Sequence, residues 1–398
     1  MLRGGQTMPQ ATMTEAKFSN NERLVLALLR REGPKSRAEI AAATGLSAQS
    51  ATNISRQLID LGLIGEGAAI RGRVGQPSTP LSLAADGAFF LGLKVGRRLV
   101  ELALVDFTGT IRMHRQEVHP HPDPDRVAGF ARNAIASFID TLPPEQRGRI
   151  AGLGIASPFQ LWDWGAEMAG WRGRDLRAEL AAGLPFPVWL ENDGTCACAA
   201  ELLFGRRDLP DDFLYIYIAH FAGGGLVLDG KLRFGPHRNA GAIGSMPSPI
   251  GGQVLDHASV LQLEGMIGHH LPPDNAGWSA PPEAERHWAR QAGEAMAWAA
   301  VTSAALADLG AVVLDGALPP DTRTLLVEET RAAITRLPAA GLDPLPVLTG
   351  TLGRAARTLG AAALPLSHVF LPDGALSLPH PLAQAAQIAD NRQHVSGS

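Results

Sequence analysis

Between Asn21 and Gly62 the chain is punctuated into three short helices, and that punctuation leaves few folds open to it. Leu24, Val25, Leu28 and Leu29 give Asn21–Arg31 one apolar face, and Gly33-Pro34 ends the helix. Ser36-Arg37-Ala38-Glu39 is a capping box, in which the serine hydroxyl accepts from the Glu39 backbone N–H while the Glu39 carboxylate reaches back. Gly45 closes this second helix as a left-handed cap. Ser47 caps a third, with Ala51, Ile54, Leu58 and Leu61 spaced to face a core, and Gly62 stops it. The opposite face carries Gln49, Ser50, Thr52, Asn53 and Arg56, uncharged hydrogen-bonding groups with one arginine. A merely solvated helix more often shows Glu/Lys pairs; this face suits base edges and phosphates in a major groove. Leu63-Ile64 and a turn at Gly65-Glu66-Gly67 lead to Arg71-Gly72-Arg73-Val74-Gly75-Gln76-Pro77, which reads as a β-wing with an arginine-rich tip for a minor groove or the DNA backbone. The candidate DNA contacts are Ser47, Gln49, Ser50, Thr52, Asn53, Arg56, Arg71, Arg73 and Gln76. A small helical bundle for protein contacts is the alternative reading. The segment resembles the winged helices of the MarR-like class.

Charge supports the division between a head and a body. Residues 1–83 hold 10 Lys/Arg and 6 Asp/Glu, leaving 25 and 33 of the chain's 35 and 39 to the rest, so a basic head (+4) sits on an acidic body (−8). A polyanion would bind at the head. The chain's 398 residues imply more than one core. No stretch approaches the roughly 20 apolar residues of a membrane span, and residues 1–20 lack the apolar run of a signal peptide and read as a disordered lead. Cys196 and Cys198, two apart on an expected helix, point to different faces and do not pair, which fits a reducing cytoplasm.

From Ala84–Gly87, read as a linker, the pattern turns α/β. Three strands with turns at Gly96-Arg97 and Thr108-Gly109 precede a helix near Arg126–Asp140 and a strand at Ile150–Ile155. Val188-Trp189-Leu190 leads through Glu191-Asn192-Asp193 into a helix ending at Leu203. Phe213–Ile218 and Gly225–Leu228 read as a hairpin, followed by a helix at Ala289–Leu309 and a buried strand at Ala311–Leu314.

Four landmarks in this order resemble the ROK family of repressors, open reading frames and kinases: the wing at Arg71–Pro77, the strand-turn-strand at Leu91–Asp106, ENDGTCACAAELLFG at 191–205 and AGGGLVLDGKLRFG at 222–235. The resemblance covers about residues 21–370. It implies a winged helix over 21–83 and an actin-like, two-lobed sugar-kinase fold over 88–372 with a hinge near 191–195, leaving 373–398 as a flexible tail.

The resemblance also implies a pocket and shows how far this chain departs from the kinases. Asn192 and Asp193 match the family's sugar-binding END motif, in which the aspartate also serves as general base. A carboxylate accepts two hydroxyl protons, which suits a polyol; Asp193 as the cap of the following helix is a compatible reading. Where kinases carry a DxGGT phosphate loop, this chain has Lys94-Val95-Gly96-Arg97-Arg98. The second phosphate loop reads Ala219-His220-Phe221-Ala222-Gly223-Gly224-Gly225, and the adenosine-side motif Leu314-Asp315-Gly316-Ala317-Leu318. These departures imply no ATP, no cofactor and no catalysis. The family's GEIGH segment reads Gly241-Ala242-Ile243-Gly244-Ser245, so its sugar-binding glutamate and zinc-linked histidine are Ala242 and Ser245. No cysteine occurs in 246–264, and His257, His269 and His270 lack a metal-ligand spacing, so no metal site is expected. Glu264 and Trp171 complete the expected ligand set with Asn192 and Asp193; Trp162 and Trp164 are weaker candidates. The implied function is a DNA-binding regulator of carbohydrate genes, a homodimer or homotetramer on a double-stranded operator, released by a sugar or sugar derivative. The alternatives are a hexose kinase with a DNA-binding head, and a ligand-independent DNA-binding protein whose body oligomerises.

Overall fold

The computed structural model describes residues 13, 17–68, 79–159, 161–163 and 165–372. Arg71, Arg73, Gln76 and Trp164, with residues 1–12 and 373–398, lie outside that set.

The head is helix α1 (Asn20–Glu32), helix α2 (Arg37–Thr44), helix α3 (Ala48–Asp60) and an antiparallel pair, β1 (Ile64–Glu66) with β2 (Leu81–Leu83). Its helices start and stop on local signals. Ser36 and Glu39 form the capping box, and Gly45 takes the left-handed conformation at φ 70°. A second box, Ser19 with Glu22, starts α1 just ahead of the start at Asn21 that the apolar pattern suggests. One expectation fails: Leu61 is 40% exposed, because α3 ends at Asp60 and the chain turns at Gly62, so fully buried Leu63 takes the core position.

The body repeats one topology. The first lobe has β3 (Phe89–Val95), β4 (Leu99–Asp106), β5 (Ile111–Val118), α4 (Pro124–Thr141), a short α5 (Pro144–Arg147), β6 (Ile150–Ala156), α6 (Leu176–Ala181) and β7 (Val188–Glu191), in sheet order β5-β4-β3-β6-β7. The chain then crosses through α7 (Asp193–Phe204) into β8 (Phe213–Ile218), β9 (Ala222–Leu228), β10 (Lys231–Arg233), α8 (Leu255–Ala258), α9 (Val260–Ile267), α10 (Pro282–Ala307), β11 (Ala311–Gly316), α11 (Pro320–Ile334) and β12 (Val347–Thr349). This second sheet runs β10-β9-β8-β11-β12, the same order of an antiparallel meander followed by two parallel strands. The last helix among the described residues, α12 (Ala356–Phe370), returns to the first lobe and packs across β3 and β6.

The layers follow from strand periodicity. Along β3, Phe89, Leu91, Leu93 and Val95 join a core with α4, whereas Phe90 joins the core between the two sheets. Gly92 lies on that inner side against α12, where a side chain would meet the Thr358 carbonyl oxygen at 2.3 Å. The helices α7 and α12 pack side by side as the central layer, α7 on β9 and α12 on the first sheet. Helix α10 covers the far face of the second sheet with buried Trp288 and Ala292.

The head is welded to the first lobe. Its core and the inter-sheet core form one cluster. Phe18 stacks near Phe370 (centroids 5.1 Å), Phe370 meets Phe107 (4.8 Å), and Arg30 lies over Phe107 (5.2 Å) and Phe204 (5.8 Å). Arg30 also donates to the Phe107 carbonyl at 2.5 Å, and Arg149 donates to the carbonyls of Gly87 and Leu61. The segment Ala84–Gly87 is therefore not a free linker. It is an ordered turn, with Gly87 buried, whose Ala85 carbonyl accepts from the Phe107 N–H.

Candidate functional site

The DNA-facing candidates lie along one side of α3. Gln49, Asn53 and Arg56 are exposed, with Ser50 and Thr52 half-buried beside them. Ser47 caps the helix, its hydroxyl accepting from the Ser50 N–H (3.1 Å), and so orders the helix N-terminus. Gln49 Nε2 donates to Asn53 Oδ1 at 3.1 Å, one turn apart, which holds two amide groups as a unit. Thr52 Oγ1 is turned back onto the Ala48 carbonyl (2.8 Å). Gln57 is also exposed and extends the polar face; the sequence pattern signalled it no less than its neighbours.

A cleft of about 440 Å³ opens between the lobes. The junction from β7 to α7 places Asn192 and Asp193 on its wall, and both GGG and GAIGS segments line it. Asn192, not Asp193, is the cap of α7: its Oδ1 accepts from the N–H groups of Gly194 (3.0 Å) and Thr195 (3.5 Å). Asp193 Oδ2 instead accepts from Arg357 Nη1 at 3.0 Å, and that guanidinium lies 5.2 Å from the Tyr217 ring centroid. Arg357 also lines the cleft; its distance of 164 residues from Asp193 left no local sequence signal. His237, Asn239 and Phe159 are further lining groups that the sequence reading missed. Ala242 and Ser245 line the same space.

Two of the expected ligand residues lie elsewhere. Trp171 is buried in the first lobe's outer core, with Nε1 donating to the Pro122 carbonyl at 2.5 Å. Glu264 is buried across from the turn between β3 and β4. It accepts from Arg98 Nη2 (2.5 Å), lies 3.0 Å from His270 Nδ1 and takes the Leu271 N–H at 2.8 Å. Neither lines the cleft. Glu191 is buried, accepts from the Asn192 N–H at 2.9 Å and pairs with Arg238. Burial pushes its carboxyl up, against the Asn192 N–H and Arg238.

Gly224 and Gly225 of β9 serve packing. A side chain at Gly225 would meet Cys198 Cβ at 2.5 Å, so α7 can lie on the strand only because the residue has none. Beside the cleft, across the end of the β3–β4 pair, Lys94 Nζ pairs with Glu101 Oε2 at 2.6 Å, both about 3% exposed, and Arg354 reaches Glu101 Oε1 at 2.5 Å. Burial and then the Arg357 charge pull the Lys94 amine down to about 8. Burial alone would raise Glu101, but Lys94, His114 and Arg354 outweigh it and hold the carboxyl well below the usual range. Among the described residues no group of three or more His, Cys, Asp and Glu could hold a metal ion, and no helix is long and apolar enough to cross a membrane.

Comparison with known proteins agrees with both halves. The ROK family model matches residues 90–258, and a winged helix-turn-helix DNA-binding model matches 18–64. Uncharacterized protein y4fQ of Sinorhizobium fredii is 30% identical over 89% of this chain and 92% of its own length. The xylose repressor of Bacillus subtilis is 24% identical over 58% of this chain; the chain spans 61% of that protein's length. The crystal structure of a ROK family transcriptional regulator, a homologue of the Escherichia coli MLC protein, shares the fold with a TM-score of 0.65 at 23% identity, covering 89% of this chain and 97% of that one.

Proposed function

The chain belongs to the ROK family and carries a DNA-binding winged helix-turn-helix, and from that premise we propose that it is a repressor whose cleft binds a carbohydrate and passes that binding to the head. It is a transcriptional regulator by kinship; the carbohydrate, its release of DNA and the absence of catalysis are the proposal. One observation carries it. Helices α7 and α12 both begin at the cleft and both end at the head. Their first turns hold Asp193 and Arg357, joined by an ion pair. Their last residues, Phe204 and Phe370, lie against Phe107 and Arg30. A ligand that competes for the Asp193 carboxylate, or closes the lobes on it, acts on both helices at once. Their far ends support the aromatic seat of α1.

Asp193 suits hydroxyl recognition because Arg357 engages Oδ2 and leaves Oδ1 to accept. His237 and Asn239 add polar groups, and Phe159 an apolar face, around a volume ample for a monosaccharide. A non-catalytic role is supported by the Lys94–Glu101 pair at the position of the kinase loop aspartate. The operator complex would be a symmetric dimer or higher oligomer with one α3 per half-site. Coupling of effector to DNA would amount to about 1–3 kcal/mol.

The test is a fluorescence-anisotropy titration of DNA from upstream of the gene, with and without a carbohydrate panel. One sugar should release the DNA and lose its effect in Asp193→Asn. DNA binding indifferent to every sugar would leave the body an oligomerisation role. Phosphorylation of a hexose by the wild type, absent in Asp193→Asn, would make the protein a kinase.

A further inference from the structure

The turn between β10 and the GAIGS segment holds a backbone outlier beside the cleft. Among the described residues four that are not glycine have positive φ: Asp229, Asn275, Asp308 and Arg238. Asp and Asn tolerate the left-handed region because their short side chains bond locally; arginine has no such compensation. Arg238 nonetheless stands there at φ 54°, and an outlier of this kind persists only where its surroundings hold it. Its guanidinium lies 4.9 Å from the Phe234 ring centroid and pairs with the Glu191 carboxylate. That pair spans the lobes, since Glu191 ends β7 of the first sheet and Arg238 follows β10 of the second. Glu191 is a fixed anchor. Its side chain is fully buried, its carbonyl accepts from the Ser157 N–H at 3.1 Å, and Oε1 accepts from the Asn192 N–H, with Oε2 toward Arg238. Among the described residues Arg238 is its one ionic partner. Within the turn, the Arg238 N–H donates to the Gly235 carbonyl at 3.2 Å and the Ala240 N–H to the Phe234 carbonyl at 3.1 Å. The residues on either side of Arg238, His237 and Asn239, both line the cleft, as do Asn192 and Asp193, which follow Glu191 directly. One ion pair therefore joins the two walls where each carries its polar side chains.

We propose that Arg238 is a positioning residue for the cleft: by pairing with Glu191 it holds the turn of the second lobe against the first, and so sets His237 and Asn239 at a fixed reach from the Asn192–Asp193 wall. The left-handed backbone is what lets the guanidinium meet Glu191 while the two neighbouring residues stay on the cleft. Its part in ligand binding rests on the carbohydrate reading of the cleft; its hold on the turn does not.

Amide hydrogen exchange read by mass spectrometry on the full chain tests it, in Glu191→Gln, Arg238→Gly and Arg238→Lys. Glu191→Gln keeps an oxygen for the Asn192 N–H and leaves a guanidinium that is more than half exposed and stays hydrated, so this variant guards against a fold defect. Arg238→Gly relieves the left-handed backbone and removes the cation; Arg238→Lys keeps the cation. Exchange across residues 235–241 should quicken about tenfold or more in the first two, as for loss of one charge-assisted hydrogen bond. It should stay near the wild type in Arg238→Lys, with α4 and α10 unchanged in all three. Calorimetry with glucose, galactose, xylose and N-acetylglucosamine as probes reads the consequence for the cleft. A sugar that binds the wild type should bind Glu191→Gln about tenfold more weakly. Exchange in 235–241 that is unchanged or slower in Arg238→Gly overturns the proposal, because the turn would then be held by its backbone alone. So does exchange that quickens equally throughout the molecule, or a sugar that binds Glu191→Gln as it binds the wild type. If none of the four sugars binds the wild type, the carbohydrate reading falls for them, and the exchange data alone decide whether the pair holds the turn.

Discussion

Two glycine-to-alanine substitutions, identical in chemistry, should move stability in opposite directions. Gly129 lies inside α4, and a Cβ built there meets nothing within 4 Å. Alanine in a helix interior is favoured over glycine by about 0.8–1.0 kcal/mol, so Gly129→Ala should stabilise by up to that amount. Gly360 lies inside α12, where it crosses α7, and its Cβ would stand 1.8 Å from the Cys196 carbonyl oxygen and 2.3 Å from its carbon. A carbon–oxygen contact needs about 3.2 Å, so the helices must part by roughly 1.4 Å, and the obstacle is backbone that cannot rotate away. Overpacking of this kind costs about 1–3 kcal/mol or more. A backbone clash at 1.8 Å belongs at the upper end of that range, so after the propensity gain of about 1 Gly360→Ala should come out destabilised by about 2 kcal/mol. Urea unfolding followed by circular dichroism measures both, with the midpoint rising in the first and falling in the second. Because the seam also links the cleft to the head, Gly360→Ala should blunt release of DNA by the effector. Two midpoints moving the same way, or an unchanged Gly360→Ala, would refute the reasoning from close approach.

The other predictions concern charge and recognition. Glu101→Gln leaves the buried Lys94 ammonium without its counter-charge and should cost about 3–5 kcal/mol, with Lys94→Met in the same chain restoring much of it in a thermal denaturation series. His119 is 3% exposed, and burial, then the Arg126 charge, pull its imidazole to about 4 from its usual 6.5. A folded value below the unfolded one means that its stability is present above 6.5 and lost as pH falls toward 4. The loss is about 3 kcal/mol at most, and His119→Phe should flatten that part of the stability–pH curve, leaving the contribution of His220 in the same window. On DNA, Arg56→Ala should reduce the slope of log affinity against log salt by about 1. Gln49→Ala or Asn53→Ala should change base preference at one position instead, as read by a binding-site selection.

What could be read from the sequence was local. The capping box at Ser36–Glu39, the left-handed Gly45 and the turn at Gly62 each act within a few residues, so the head's helices stood out. The first three strands of the body alternate around short turns and were equally plain. Helix α12 was invisible for the opposite reason. Gly360 and Pro365 are residues that ordinarily weaken a helix, yet Gly360 lets α7 pass, and Pro365 packs where Gly152 and Gly154 of β6 leave room. The cleft was half legible. Asn192 and Asp193 announced themselves by motif, whereas Arg357 and His237 arrive from other elements and carry no pattern of their own. Trp171 drew attention as an aromatic near the pocket segment, but the Pro122 carbonyl and the outer core hold it.

The return of α12 to the first lobe also sets an order of assembly. The inner face of the first sheet is covered by residues 356–370, so the lobe made first is closed by a helix made after the second lobe. A chain still on the ribosome exposes Phe90 and Phe107, and the seat for α1 is incomplete without Phe370. The three-helix head can form early from its own caps, but its fixed placement on the body waits until residues 356–370 have emerged. A nascent or truncated chain that lacks this helix would carry the three-helix head without its aromatic seat on the body.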